Sequence, residues 1–204
     1  MVTLVTDPDL EQRLRAQRAA TGADRYDEVW DGTYMMAPVP NDEHQQVVMR
    51  LAAICHQLID EPGLGHVRPG VNVSDRKLGW QHNYRVPDVA VFLEGGSAEN
   101  CDAFWYGGPD FVVEVVSRED QSREKIAFYE QVSVRELLLV DRDPWRLDLY
   151  RLEDTKLKCS ATSDLQEGQL LRSSVLPVTF RIQAGTKRPQ IRVEYVDHDD
   201  VWIV

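Results

Sequence analysis

An acidic residue, Glu114, lies inside an almost continuous apolar stretch of this sequence. The segment "DFVVEVVS", residues 110–117, surrounds Glu114 with one phenylalanine and four valines. Runs of β-branched and aromatic residues are typical of a strand that is covered on both faces. Burying an unpaired carboxylate costs several kcal/mol, so we expect Glu114 to be paired with a cation, bound to a metal or protonated.

A second acid stands at the start of the preceding apolar stretch. In "VPDVAVFL", Asp88 follows Pro87, which lacks a backbone N–H and is tolerated at the first residue of a strand. If the two strands are neighbours, Asp88 and Glu114 meet within a few ångströms. Two carboxylates that close raise each other's pKa unless a cation lies between them. Mg²⁺ is a hard cation that takes one or two carboxylates, so the pair predicts a Mg²⁺ (or Mn²⁺) site.

A lysine in the next segment is spaced to reach this pair. Residues 118–134 read as a helix, in which Lys125, Tyr129 and Val132 share the face that packs on the sheet. An ammonium there would stabilise a transition-state oxyanion or orient the attacking water. A metal, two acids and a lysine are the groups that phosphodiester hydrolysis needs.

Each of these residues also has a purely structural interpretation. Asp88 can cap a turn, and Lys125 can be a solvated helix residue. Glu114 can form a structural salt bridge with Arg85, Arg123 or Lys125. The joint arrangement therefore carries the hypothesis, and none of its members does so alone.

The elements around these residues predict an α/β domain with a central mixed sheet flanked by helices. Asp7 caps a helix over residues 7–20, and Asp31-Gly32 is typical of a type I′ hairpin turn. An amphipathic helix follows at residues 41–60, capped by Asn41 or Asp42. Strands are expected within 66–74, 84–93, 110–117, 135–141 and 145–152, with short strand candidates in the tail. The glycine-rich residues 95–109 are predicted to be a loop.

The order and spacing of these motifs resemble the PD-(D/E)XK nuclease superfamily and, more closely, the restriction-endonuclease-like family Uma2. The similarity lies in "EVWDG", a histidine that opens the first core helix, "VPDVAVF", "VEVVS", a lysine and a tyrosine four residues apart, and "LLLVD". It runs from about Tyr26 to Leu152. On this basis we predict an N-terminal helical extension at 1–25 and a restriction-endonuclease-like domain at 26–204. The core of that domain is expected at about 26–152, and its C-terminal strands at 153–204.

The resemblance implies that Asp88 and Glu114 are the metal ligands. The superfamily's lysine usually lies two residues after the strand acid, where this chain has Val116, so Lys125 would supply the amine from another element. Glu28 of "EVWDG" matches the family pattern as an additional site acid, although it can equally be a charged residue flanking the hairpin.

Three further residues are candidates for contacts with phosphate or substrate. His44 matches the family's histidine, and it can equally be a surface residue of the helix start. Arg118 and Arg123 flank the predicted site and can hold a phosphate backbone, or they can be solvated residues.

Composition narrows the class of protein. The 204 residues carry a formal net charge of -11, which argues against a protein that coats DNA through bulk electrostatics but allows a local site with a divalent metal. Three scattered cysteines and the absence of a secretion signal or membrane-spanning stretch predict a cytoplasmic protein.

We therefore predict a Mg²⁺-dependent endonuclease that cleaves DNA and acts as a homodimer. Two alternatives stay open: a non-catalytic binding or regulatory protein with the same fold, and a metal-dependent phosphoesterase of small substrates.

Overall fold

The computed structural model describes residues 3–5, 7–117 and 121–204. Its helices are α1 (Pro8–Thr21), α2 (Asp42–Cys55), which continues as a π-helical turn over His56–Asp60, and α3 (Ile126–Gln131). Short 3-10 turns cover Trp80–His82 and Ser122–Lys125. Within the described ranges, no helix combines the length and the apolar character needed to cross a bilayer.

The strands, in chain order, are β1 (Thr3–Leu4), β2 (Glu28–Trp30), β3 (Thr33–Met36), β4 (Gly65–Arg68), β5 (Val73–Ser74), β6 (Tyr84–Arg85), β7 (Val89–Leu93), β8 (Glu99–Asn100), β9 (Trp105–Tyr106), β10 (Phe111–Val115), β11 (Glu136–Arg142), β12 (Trp145–Glu153), β13 (Lys156–Asp164), β14 (Leu171–Arg172), β15 (Val178–Gln183), β16 (Gln190–Tyr195) and β17 (Val201–Ile203).

The central sheet has the strand order β13-β12-β11-β10-β7-β4. Strands β10 and β11 run parallel, and the remaining neighbours in this sheet run antiparallel. The expected central mixed sheet is therefore present. A second sheet, in the order β1-β3-β2-β6-β5-β9-β8, contains the predicted hairpin, and β14 to β17 form a third.

The period-2 alternation of β10 divides the core into two layers. Phe111, Val113 and Val115 pack with α2 and the third sheet, whereas Val112 packs with Phe128 and Tyr129 of α3. Side chains on one strand alternate between the two faces, so Glu114 points to the same side as Val112. Glu114 therefore lies on the face of β10 that packs against α3.

Local signals in the sequence explain where the elements begin and turn. Asp7 caps α1 by accepting from Leu10 N at 2.9 Å, and Asn41 caps α2 by accepting from His44 N at 2.9 Å. Asp31 and Gly32 have φ values of 47° and 87°, the positive values that a type I′ turn requires. These three predictions are confirmed.

Two predicted segments differ from the structure. The helix expected over 118–134 is limited, within the described residues, to the 3-10 turn Ser122–Lys125 and α3. The predicted loop 95–109 contains β8 and β9, because Trp105 is buried and stacks on Phe92 with ring centroids 3.7 Å apart. A packed aromatic residue thus orders a segment whose glycines suggested irregular structure.

Candidate active site

Strands β7 and β10 bring the two predicted acids together. Their antiparallel register pairs Val113 with Val89, so the next residues along, Glu114 and Asp88, lie opposite each other. Asp88 Oδ2 accepts a hydrogen bond from Val115 N at 2.7 Å. Pairing of the two strands, the condition on which the prediction depended, is met.

Glu114 is buried, with 2% of its surface exposed, and it has two donors. Lys125 Nζ lies 3.1 Å from each carboxylate oxygen, and Tyr129 Oη donates to Oε1. Burial raises the pKa of Glu114 to about 8; the Lys125 charge opposes this rise, and the charges of Asp88 and Glu28 add to it. The site therefore concentrates more negative charge than its own side chains neutralise.

Lys125 lies between two glutamates. Its Nζ is 2.8 Å from Glu28 Oε1, in addition to its contact with Glu114. Burial disfavours the ammonium, but the two carboxylates outweigh that penalty and raise the pKa of Lys125 above its ordinary value. The side chain is therefore a fixed cation at neutral pH.

Glu28 is held by three donors and is well placed to position Lys125. Besides Lys125 Nζ, Val86 N donates to Oε1 at 2.8 Å and Trp30 Nε1 donates to Oε2 at 2.6 Å. Glu28, predicted as an additional acid, is therefore buried beside Lys125. Because its oxygens are already bonded to three donors, its contacts are those of a residue that positions Lys125 and not those of an open metal ligand.

His44 joins the site from the first turn of α2. Asn41 caps this helix, and the imidazole of His44 contacts Asp88, with 3.3 Å between His44 Nε2 and Asp88 Oδ2. His44 is 5% exposed, and its Nδ1 has no hydrogen-bond partner among the described residues. The histidine is thus a buried residue of the site and not a surface side chain.

The predicted arginines are placed differently. Arg123 forms ion pairs with Asp141 at 2.6 Å and Asp148 at 3.2 Å, and it does not contribute to the cavity lining. Arg118 lies outside the described residues.

These side chains line a cavity of about 530 Å³. Its carboxylates are Glu28, Glu43, Asp88, Glu114, Asp141 and Asp143, and the cations that the described residues contribute are Lys125 and Arg142. Sequence reasoning did not assign Arg142 to the site. Arg142 directly follows the predicted strand "RELLLVD". The end of that strand lies next to β10, and this position could have indicated that Arg142 belongs to the site.

The donor set can be tested for its fit to a hard divalent cation. Asp88 and Glu114 both line the cavity. Asp88 Oδ1 accepts no hydrogen bond from the described residues, whereas each Glu114 oxygen already contacts Lys125 and would be shared between that donor and a cation. One or two carboxylates are what Mg²⁺ usually takes from a protein, with water and phosphate completing its shell. No group of three or more His, Cys, Asp or Glu side chains in the described part of the chain is arranged as a metal site. The fit is therefore that of a two-carboxylate site.

Comparisons with known proteins identify a family and a fold for this chain. The family model described as "Uma2: Putative restriction endonuclease" matches residues 10–185. The structure is similar to a crystal structure titled as "a putative nuclease belonging to DUF820 from Anabaena variabilis ATCC 29413", with a TM-score of 0.57 and 15% sequence identity over 72% of this chain and 80% of that chain. No curated protein matches. At that identity the structural likeness shows the fold, and it confirms the predicted restriction-endonuclease-like architecture.

Proposed function

Because the chain belongs to the Uma2 family, we propose that it is a nuclease that hydrolyses DNA phosphodiester bonds with Mg²⁺ or Mn²⁺. One observation carries the proposal. Asp88, Glu114 and Lys125 come from three different segments and line one cavity, in which Lys125 contacts the buried Glu114 and Asp88 accepts from the backbone N–H of the next residue, Val115. Two carboxylates with one fixed ammonium are the groups that positioning and charge neutralisation of a phosphate require.

Asp88 and Glu114 would hold the divalent ion. When bound, the ion supplies positive charge that neutralises the phosphate and favours ionisation of the attacking water. Its charge would also balance the excess of carboxylates, which Lys125 alone leaves uncompensated.

Lys125 would act on the phosphate as a donor. Its ammonium is charged and fixed by Glu28 and Glu114, so it can stabilise the charge that develops on a phosphate oxygen without reorganisation. This position supports the idea that Lys125 replaces the superfamily's strand lysine, which is Val116 here.

Glu28 and His44 are proposed in supporting roles. Glu28 would keep Lys125 oriented, because Val86 N and Trp30 Nε1 fix its carboxylate. His44 would contact substrate phosphate through the cavity it lines. The same role for Arg123 has less support, because Arg123 does not line the cavity and is already paired with Asp141 and Asp148.

The test is DNA cleavage by purified protein, with Mg²⁺ or Mn²⁺ and with a chelator. Glu114→Gln keeps the shape of the side chain and removes its charge, and we expect it to lower the rate about 100-fold or more. Glu153→Gln, which changes an exposed glutamate of β12, is the matched control and should cut like the wild type. Equal rates for wild type and Glu114→Gln, or cleavage that survives the chelator, would contradict the proposal.

The homodimer also stays a prediction. Cutting both strands of a duplex would need two such sites, and sedimentation analysis of the full chain measures whether two copies associate.

A further inference from the structure

One side of the cavity is apolar and not charged. We name it the apolar collar: Trp30, Met35, Ala37, Pro38, Val39 and Pro40. It comes from the β2–β3 hairpin and from the segment that leads into α2. Val39 is 83% exposed, so its side chain contributes little to the packing of the protein itself. An apolar rim beside a charged site is suited to the faces of bases and sugars and not to a row of phosphates.

Trp30 gives this collar a fixed aromatic ring. The Arg85 guanidinium lies over the indole, with its Cζ 4.5 Å from the ring centroid. The same Cζ lies 4.4 Å from the ring centroid of Phe128. The indole Nε1 is engaged with Glu28. Aromatic rings stack with bases of any sequence, provided that the base is not already stacked and paired in a duplex.

At the other end of the collar stands Arg142. Its Nη1 donates to Asn41 Oδ1 at 3.0 Å and to Glu43 Oε2 at 3.1 Å, which places the guanidinium at the start of α2, directly after the collar in the chain. The side chain is only 9% exposed and lines the cavity. Its Nε donates to Val116 O at 3.4 Å, so Nη2 is the nitrogen that donates to no described residue and can bind one phosphate oxygen.

The charge of the lining limits how many phosphates can approach. Among the described lining residues, three carboxylates, those of Glu28, Asp88 and Glu114, lie around one ammonium, that of Lys125, and the whole chain carries a net charge of -11. A duplex presents one negative charge per ~1.7 Å of axis, about twice the density of one strand. The cavity therefore opposes a duplex more strongly than a single strand.

We propose that the cavity receives an unpaired nucleic-acid strand, with a base against the apolar collar and a neighbouring phosphate on Arg142. This inference rests on the proposed nuclease function and specifies its substrate. In a duplex substrate, cleavage would then occur at an end, a flap or a bubble, where unpaired bases can enter the cavity.

The experiment compares cleavage of one labelled 30-nucleotide DNA as a single strand, as a blunt duplex and as a duplex with a central unpaired bubble. Wild-type full-length protein and Glu114→Gln are assayed with Mn²⁺ or Mg²⁺. We expect the single strand to be cut at least tenfold faster than the blunt duplex, and the bubble substrate to be cut inside the bubble. Val39→Asp, which places a charge on the collar, should lower the rate on the single strand about tenfold. Leu78→Asp, the matched control, alters another exposed apolar residue, 92% exposed and outside the lining, and should cut like the wild type.

The outcomes separate the two proposals. Cleavage that depends on Glu114 and is as fast on the blunt duplex would overturn the inference and leave the nuclease function standing. An unchanged rate for Val39→Asp would also count against the collar. Absence of metal-dependent cleavage on all three substrates would remove the nuclease function, and the inference with it.

Discussion

Two buried glutamates on adjacent parallel strands have opposite surroundings. Glu114 on β10 and Glu136 on β11 are 2% and 0% exposed. Glu136 is fully engaged: it accepts from Arg151 Nε at 2.9 Å, from Ser174 N at 2.9 Å and from the hydroxyls of Ser173 and Ser174. Those partners connect the start of β11 to β12 and to the segment between β14 and β15 of the third sheet.

Glu114 instead shares its surroundings with two more carboxylates and a cavity. Burial raises its pKa, the charges of Asp88 and Glu28 raise it further, and Lys125 and Tyr129 are its donors. A buried acid surrounded only by donors stabilises a fold, whereas a buried acid next to other acids and next to open space leaves charge for a ligand to neutralise. From this comparison we infer a structural role for Glu136 and propose a catalytic role for Glu114.

The largest expected effect is on activity, and it should be confined to Glu114. Glu114→Gln should lower cleavage about 100-fold or more and change the free energy of unfolding by less than about 1 kcal/mol, because it removes repulsion as well as attraction. Rate measurements and thermal melts on the same preparation check both. A variant that unfolds instead would show that Glu114, like Glu136, serves mainly to hold the fold.

The reverse is expected at Glu136. Glu136→Gln leaves Arg151 without its ion pair and Ser173 or Ser174 with poorer acceptors, so the free energy of unfolding should fall by about 2 kcal/mol. This estimate of the lost free energy allows for solvent screening of the ion pair, because the Arg151 side chain is partly exposed. Denaturant unfolding measures the loss, and the folded fraction should cleave at the wild-type rate. Loss of activity per folded molecule would break the distinction between the two acids.

Metal binding sharpens the comparison further. Asp88→Asn removes one proposed ligand charge and should weaken the binding of Mn²⁺ at least about tenfold, whereas Glu136→Gln should bind it as the wild type does. Titration calorimetry on the two variants gives the dissociation constants. Equal affinities in wild type and Asp88→Asn would place any bound ion elsewhere, and no binding by the wild type would favour a non-catalytic protein.

The sequence identified Glu114 but not Glu136, although both lie in apolar strands. The spacing of Asp88, Glu114 and Lys125 was predictable because strand alternation and a short helix determine which faces meet. Glu136 was read as part of "RELLLVD", and its partners Ser173 and Ser174 lie 37 and 38 residues further along the chain. Contacts at that distance depend on how the third sheet packs, which no local pattern encodes.

The same limit applies within the site. Arg142 and the apolar collar were missed because they converge only when the hairpin, the start of α2 and the end of β11 meet. Arg123 appeared equally suited from its position, yet Asp141 and Asp148 hold it away from the lining. Local spacing thus located the acids, and tertiary packing selected the surrounding residues.

The smallest expected effect on cleavage concerns Tyr129, which is the second hydrogen-bond donor to Glu114 besides Lys125. Tyr129→Phe keeps the packed ring in the core and removes one hydrogen bond, which is worth about 1 kcal/mol. Because the lost donor stabilises the ionised carboxylate, cleavage should slow about fivefold while the unfolding midpoint moves little. Tyr150→Phe, a tyrosine of β12 outside the cavity lining, is the matched control. If both tyrosine variants cut like the wild type, Lys125 alone is sufficient to prepare Glu114, and the contrast with the multiply bonded Glu136 becomes wider still.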